Sequence, residues 1–235
     1  MHIPDGYLGP PTYIAGYAAC VPLWGIAARK VRNTLDARRV PLLAVSAAFS
    51  FLVMMFNIPL PGGSTGHAVG GTLIAIAVGP WGALLSISIA LVIQALLFGD
   101  GGITAIGANC LNIAFVMPFT GYFVYRALAR LLPSPKGTAA AAGIGGYVGL
   151  NAAAFSTAVL FGIQPLLHTA PDGRALYAPY PLSVAVPAMM IPHLTLFGLA
   201  EGVITGLVVY YLQRSRSAWM LRPAGHRAVS RNRLP

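Results

Sequence analysis

The chain has 235 residues, 57% hydrophobic and only 9% charged, with a formal net charge of +10. Soluble domains carry about 25% charged residues, so this composition excludes an ordinary soluble globule and points to a membrane protein. The positive charge is confined to a few connecting segments, which fits orientation in a bilayer better than a nucleic-acid surface.

The amino terminus reads Met1-His2-Ile3-Pro4-Asp5-Gly6. Pro, Asp and Gly in successive places make a type I turn signal, so the chain is expected to bend sharply here. A positive n-region and a small-residue cleavage site are missing before the first apolar run, so Met1 is expected to be the mature end.

Seven apolar segments follow. They run from about Pro11 to Ala28, Val40 to Phe56, His67 to Val78, Trp81 to Phe98, Ile103 to Leu132, Thr138 to Ile163 and Leu182 to Leu212. The third is short for a ~30 Å hydrocarbon core, and the last is expected to break near Pro187 or Pro192. Basic residues collect at Arg29–Arg39, at Arg126–Lys136 and after Arg214. The positive-inside rule places all three groups in the cytoplasm if the amino terminus lies outside and all seven segments cross. The expected fold is therefore an all-α integral membrane protein of about seven transmembrane helices. Residues 1–213 form a membrane substrate-capture domain, and residues 214–235 a basic cytoplasmic tail that could bind anionic lipid. Small residues on segments one and six, Ala15 and Ala19 and then Ala139 to Gly149, suit close helix packing or a partner membrane subunit.

The amino terminus also carries a ligand set. The Met1 amine and the His2 amide nitrogen close a five-membered chelate ring around a metal. The amide nitrogen and His2 Nδ1 close a six-membered one. These three nitrogens can lie in one plane. Ni(II) and Cu(II) favour such tetragonal nitrogen sites, with Co(II) just below in affinity; Zn(II), Mg(II) and Ca(II) prefer other sets. A fourth donor is needed. His67 follows the uncharged loop Gly62-Gly63-Ser64-Thr65-Gly66 on the same predicted side. Ser64 or Thr65 is expected to cap the short helix after it, whose N-terminus would keep His67 neutral. Asn57 and Asn109 are candidates to hydrogen-bond His2 or its loop. Asp5 is expected to brace the terminus or add negative potential. Asp100 is read as a turn residue. Glu201, alone deep in a predicted helix with His193 two turns before it, is a gating or structural candidate. His168 is read as part of a solvated loop with Asp172, and His226 as incidental.

The opening motif Met1-His2-Ile3-Pro4-Asp5-Gly6-Tyr7-Leu8 and the Gly-Gly-Ser-Thr-Gly-His run ending at His67 resemble the CbiM/NikM family. So do Phe98-Gly99-Asp100-Gly101-Gly102-Ile103-Thr104-Ala105, Gly107-Ala108-Asn109, and His193 with Glu201-Gly202-Val203-Ile204-Thr205. These are substrate-specific membrane (S) components of energy-coupling-factor transporters for cobalt and nickel. The resemblance covers roughly residues 1–213. Ser64-Thr65 stands where relatives often have Thr-Ser. The resemblance implies a transported Ni(II) or Co(II) as bound substrate and no resident cofactor, with Met1, His2 and His67 as ligands. Pro4-Asp5 is closer to the nickel type. It also implies a transmembrane coupling subunit, two ATP-binding subunits and in some systems a small accessory membrane protein, in the bacterial inner membrane. No Gly-x-x-x-x-Gly-Lys-[Ser/Thr] loop occurs in this sequence, so ATP hydrolysis is assigned to other chains. Three rivals compete with a nickel importer subunit. One is a Co(II) importer subunit supplying cobalamin synthesis. Another is an intramembrane hydrolase using His67, His193 and Glu201. The third is a structural or assembly membrane protein.

Overall fold

The computed structural model describes residues 1–35, 39–61 and 64–221. Gly62, Gly63, Arg38, His226 and most of the basic tail lie outside the described residues. The rest is an all-α multi-pass bundle with one small hairpin. Helix α1 is Pro10–Thr34, α2 is Val40–Met55 and α3 is Gly71–Val78. Helix α4 is Pro80–Phe98, α5 is Ile106–Leu131, α6 is Pro135–Leu167 and α7 is Leu182–Arg214. Helices α4 to α7 are long and apolar enough to cross a membrane; α2 is a shorter apolar helix. Strands β1 (Ile58–Leu60) and β2 (Ser64–Gly66) pair antiparallel between α2 and α3.

Helix α3 is eight residues long, about 12 Å, and cannot cross alone. Glycines end it on both sides: Gly70 at φ 75° and Gly79 at φ 82°, conformations that cost a Cβ-bearing residue dearly. Pro80 then opens α4, where its missing N–H is no loss. Nearly every side chain of α3 is buried in protein, which is how a half-length helix is tolerated at membrane depth.

Three helices contain wide π turns, Gln94–Phe98 in α4, Cys110–Val116 in α5 and His193–Phe197 in α7. Helix α7 therefore bulges after Pro192 instead of breaking. Pro192 has no amide hydrogen to give the preceding turn, and the helix widens directly after it. The small residues of α6 serve internal packing. A Cβ on Gly143 would meet the Gly202 carbonyl at 2.9 Å, and one on Gly145 the Gly121 carbonyl at 2.6 Å. Ala15 and Ala19 on α1 are exposed.

The amino terminus belongs to the core. Met1 and Ile3 are fully buried beside residues of the hairpin and the long helices.

Candidate metal centre

Residues 1–4 enter the bundle without regular secondary structure and turn at Asp5–Gly6, held by side chains from three directions. Asn109 at the start of α5 clamps the Ile3 peptide: its Oδ1 accepts the Ile3 N–H at 2.9 Å and its Nδ2 donates to the Ile3 carbonyl at 3.1 Å. The Gly102 N–H donates to the same carbonyl at 2.8 Å. Gly102 is required here, since a Cβ would lie 2.4 Å from the Asp5 nitrogen. Asp5 accepts from the Ile103 N–H at 3.1 Å and the Thr104 N–H at 2.9 Å, and from the Thr104 hydroxyl. Partial burial pulls the Asp5 carboxyl upward, but these donors outweigh it and the net shift is down. Asp5 thus braces the turn; it lies against residues 103–104 on the surface.

The turn directs Met1 and His2 toward the hairpin. The Met1 amine donates to the Thr65 carbonyl, and Thr65 Oγ1 lies 3.4 Å away. Ser64 Oγ donates to the His2 carbonyl at 3.2 Å. Ser64 and Thr65 therefore seat the amino terminus and do not cap α3. The cap comes from α7, where Glu201 Oε2 accepts from the Val69 N–H at 2.9 Å and the Gly70 N–H at 3.0 Å. His67 lies four residues before α3, outside the helix N-terminus.

His67 Nε2 is 3.5 Å from the Met1 amine. Its Nδ1 faces the Ala68 carbonyl at 3.1 Å. A carbonyl only accepts, so Nδ1 carries the proton and Nε2 presents a lone pair to the amine. The His2 and His67 rings stack with centroids 4.6 Å apart and planes 25° apart. Both are buried. Burial lowers the Met1 amine from 8.0 to about 4, Asp100 opposing. Burial also pushes His2 down, with Asp100 opposing. At neutral pH the amine and the imidazole are therefore uncharged and free to donate electron pairs.

Asp100 goes beyond its expected turn role. Its Oδ1 is 3.1 Å from His2 Nδ1, and its Oδ2 accepts from Asn57 Nδ2 at 3.1 Å. Burial raises the Asp100 carboxyl, but the nearness of His2, the Met1 amine and the Asn57 amide outweighs it, and the net shift is down. Asn57 thus reaches His2 through Asp100, while Asn109 reaches it through the adjoining peptide. The glycines flanking Asp100 explain the turn reading: Gly99 and Gly101 have φ of 67° and 88°. Their density masked the carboxylate's second role. Gln94 also went unread. It is fully buried in the wide turn of α4, and its amide atoms have no hydrogen-bond partner. Its only sequence signal was a lone amide in an apolar run.

Among the described residues, no three His, Cys, Asp or Glu side chains converge to hold a metal. His67, His193 and Glu201 accordingly do not form the cage of an intramembrane hydrolase. Beside His2 and His67 lies one further buried nitrogen, the Met1 amine, 3.5 Å from His67 Nε2. His168 is also corrected. It packs against Gly9 and Tyr177, its ring 5.1 Å from that of Tyr177, while Asp172 pairs loosely with Arg174.

A family described as the cobalt uptake substrate-specific transmembrane region matches residues 2–219. The chain is 52% identical over 216 residues to the fused nickel transport protein NikMN of Rhodobacter capsulatus, covering 92% of this chain and 62% of that one. It thus spans about three fifths of that relative's length. It is 50% identical over 217 residues to a putative metal transport protein of Methanocaldococcus jannaschii, covering 92% and 93%. A crystal structure of a truncated transition metal transporter superposes with a TM-score of 0.88 at 54% identity, covering 91% of this chain and 99% of that one.

Proposed function

The chain belongs to the family of cobalt-uptake substrate-specific transmembrane regions, a family of non-catalytic membrane components of energy-coupling-factor transporters, and on that premise we propose that it captures Ni(II) for an ATP-driven importer. The metal is held in a planar site of four nitrogens: the Met1 amine, the His2 amide nitrogen, His2 Nδ1 and His67 Nε2. The observation that carries this reading is the pairing of a buried, uncharged amine with the lone pair of His67 Nε2, 3.5 Å apart. Two neutral donors held this close in a dry site lose little on ordering when a metal joins them.

His2 Nδ1 faces Asp100, so chelation through Nδ1 requires a half-turn of the ring about Cβ–Cγ. That rotation turns Nδ1 away from the carboxylate. Nitrogen donors in one plane favour Ni(II), whose tetragonal preference Zn(II) lacks. The similarity to a relative named for nickel supports the same choice; Co(II) is the alternative substrate. The coupling subunit and the two ATP-binding subunits, joined in some systems by a small accessory membrane protein, complete the importer, in the cytoplasmic membrane with the amino terminus outside.

One added residue ahead of Met1 tests this. The amine becomes an amide and the first chelate ring is displaced, so Ni(II) binding is lost. Unchanged Ni(II) affinity in the extended chain overturns the reading. His67→Ala removes the fourth donor, and a planar four-nitrogen spectrum that survives it removes His67 from the site.

A further inference from the structure

A second set of donors lies next to this site and takes no part in it. His193 is fully buried on α7. Its Nδ1 is 2.7 Å from the Met189 carbonyl, one turn back. That carbonyl fixes the proton on Nδ1 and leaves a lone pair on Nε2. Nε2 has no hydrogen-bond partner and no access to solvent. A buried lone pair without a donor is costly, and such groups in native proteins have a reason.

The wide turn His193–Phe197 places this ring beside the metal-binding loop. Phe197 lies tilted against His193, centroids 5.2 Å apart, and covers Gly66, where any Cβ would penetrate the Phe197 ring. Gly66 immediately precedes His67. Eight residues further along α7, about 12 Å, Glu201 receives the backbone of Val69 and Gly70 on Oε2 while its buried Oε1 has no partner. The segment His67–Gly70 and the face of α7 from His193 to Glu201 therefore run side by side. They lead from the amino-terminal site toward α3 and the basic end of α7 at Arg214.

Building on the proposed nickel site, we propose that His193 Nε2 is the first acceptor of the metal when it leaves the Met1–His2–His67 site, with Glu201 the next oxygen donor on its inward path. Intramembrane ionisable groups facing a bundle interior mark ion paths. Here the histidine tautomer is already set, so His193 binds metal without releasing a proton. A single imidazole holds a divalent ion more weakly than a four-nitrogen chelate, as a station on a path must.

The test is Ni(II) uptake by the full chain reconstituted with its coupling and ATP-binding subunits, comparing wild type with His193→Ala. The expected result is a fall of about tenfold or more in maximal uptake rate, with the KM for Ni(II) and the equilibrium four-nitrogen spectrum unchanged. His193→Cys, which restores a donor, recovers part of the rate; His193→Leu does not. Wild-type uptake by His193→Ala overturns this proposal alone. So does loss of equilibrium binding in step with uptake, which would make His193 a ligand or a support of the resting site. Uptake that survives the one-residue extension of Met1 overturns both this proposal and the nickel site beneath it.

Discussion

Asn109 treats Ile3 as a neighbouring strand would, accepting its N–H at 2.9 Å and donating to its carbonyl at 3.1 Å. One side chain thereby satisfies both polar groups of a peptide that lies in a dry bundle. Asn109→Leu leaves both unpaired, at about 1–3 kcal/mol for each buried group. Metal affinity falls about 10- to 100-fold as the ligand peptide loosens. Asn109→Asp keeps the first bond but sets two oxygens against each other in the second, so it also weakens binding. Isothermal titration with Ni(II) in detergent checks both; full affinity in Asn109→Leu would show that Asn109 does not position the terminus.

Gly102→Ala unseats the amino terminus. The added methyl meets main chain, the Asp5 nitrogen and the Pro4 carbonyl carbon, and main chain has no other rotamer to adopt. Gly66→Ala meets the flexible Phe197 side chain instead. The expected outcome is loss of Ni(II) binding in both, with rescue of Gly66→Ala by Phe197→Ala and no equivalent rescue for Gly102→Ala. Binding by Gly102→Ala at the wild-type level would contradict the observed approach of the two segments.

The pH dependence follows from the amine. Its folded value is about 4 against an ordinary 8.0. Between those values the unfolded chain holds a proton that the folded chain excludes. Stability therefore rises with pH across this window by about 1.4 kcal/mol per unit. That contribution is complete above the unfolded value and lost as pH falls toward 4. Because the folded amine is already deprotonated at neutral pH, Ni(II) binding releases only the His2 amide proton. Affinity then rises about tenfold per pH unit near neutrality, a single-proton slope. A hundredfold rise per unit would mean that the amine is protonated in the folded chain.

Glu201→Ala strips α3 of its cap. Two buried N–H groups lose their acceptor, and the loss is about 2–5 kcal/mol. Glu201→Gln keeps one carbonyl oxygen and recovers part of it. Melting temperatures in detergent should rank wild type above Glu201→Gln above Glu201→Ala. Equal melting of wild type and Glu201→Ala would show that the cap carries no stability.

The seven helices were legible because apolar length and Gly-Pro punctuation are local signals: Gly79-Pro80 stops α3 and starts α4, as the sequence suggests. The hairpin was not, since three-residue strands rich in Pro and Ser show no alternation to read. The turn at Pro4-Asp5-Gly6 and the approach of His67 to Met1 were anticipated from residue chemistry and topology. The cap on α3 was misassigned to Ser64 or Thr65 because sequence proximity favours a local donor, whereas Glu201 arrives from over 130 positions away. Asp100 was read as a turn residue because glycine neighbours advertise backbone shape and say nothing of where a carboxylate points. Three-dimensional convergence of single polar residues, each alone in an apolar or glycine-rich run, leaves no periodic trace.

Helix α3 is held by a long polar side chain at each tip. Glu201 grips the amide end next to His67, and the Arg39 guanidinium donates to the Ala77 carbonyl at 3.2 Å at the other end. The same guanidinium donates to the Trp219 carbonyl at 3.2 Å, in the short turn Ala218–Leu221 that follows α7. With carboxylate at the positive pole and guanidinium at the negative one, the helix dipole is matched at both ends. Helix α3, about 12 Å long, therefore joins the carboxyl-terminal turn at one tip to the loop bearing His67 at the other, so the two distant parts of the chain meet through a single short element.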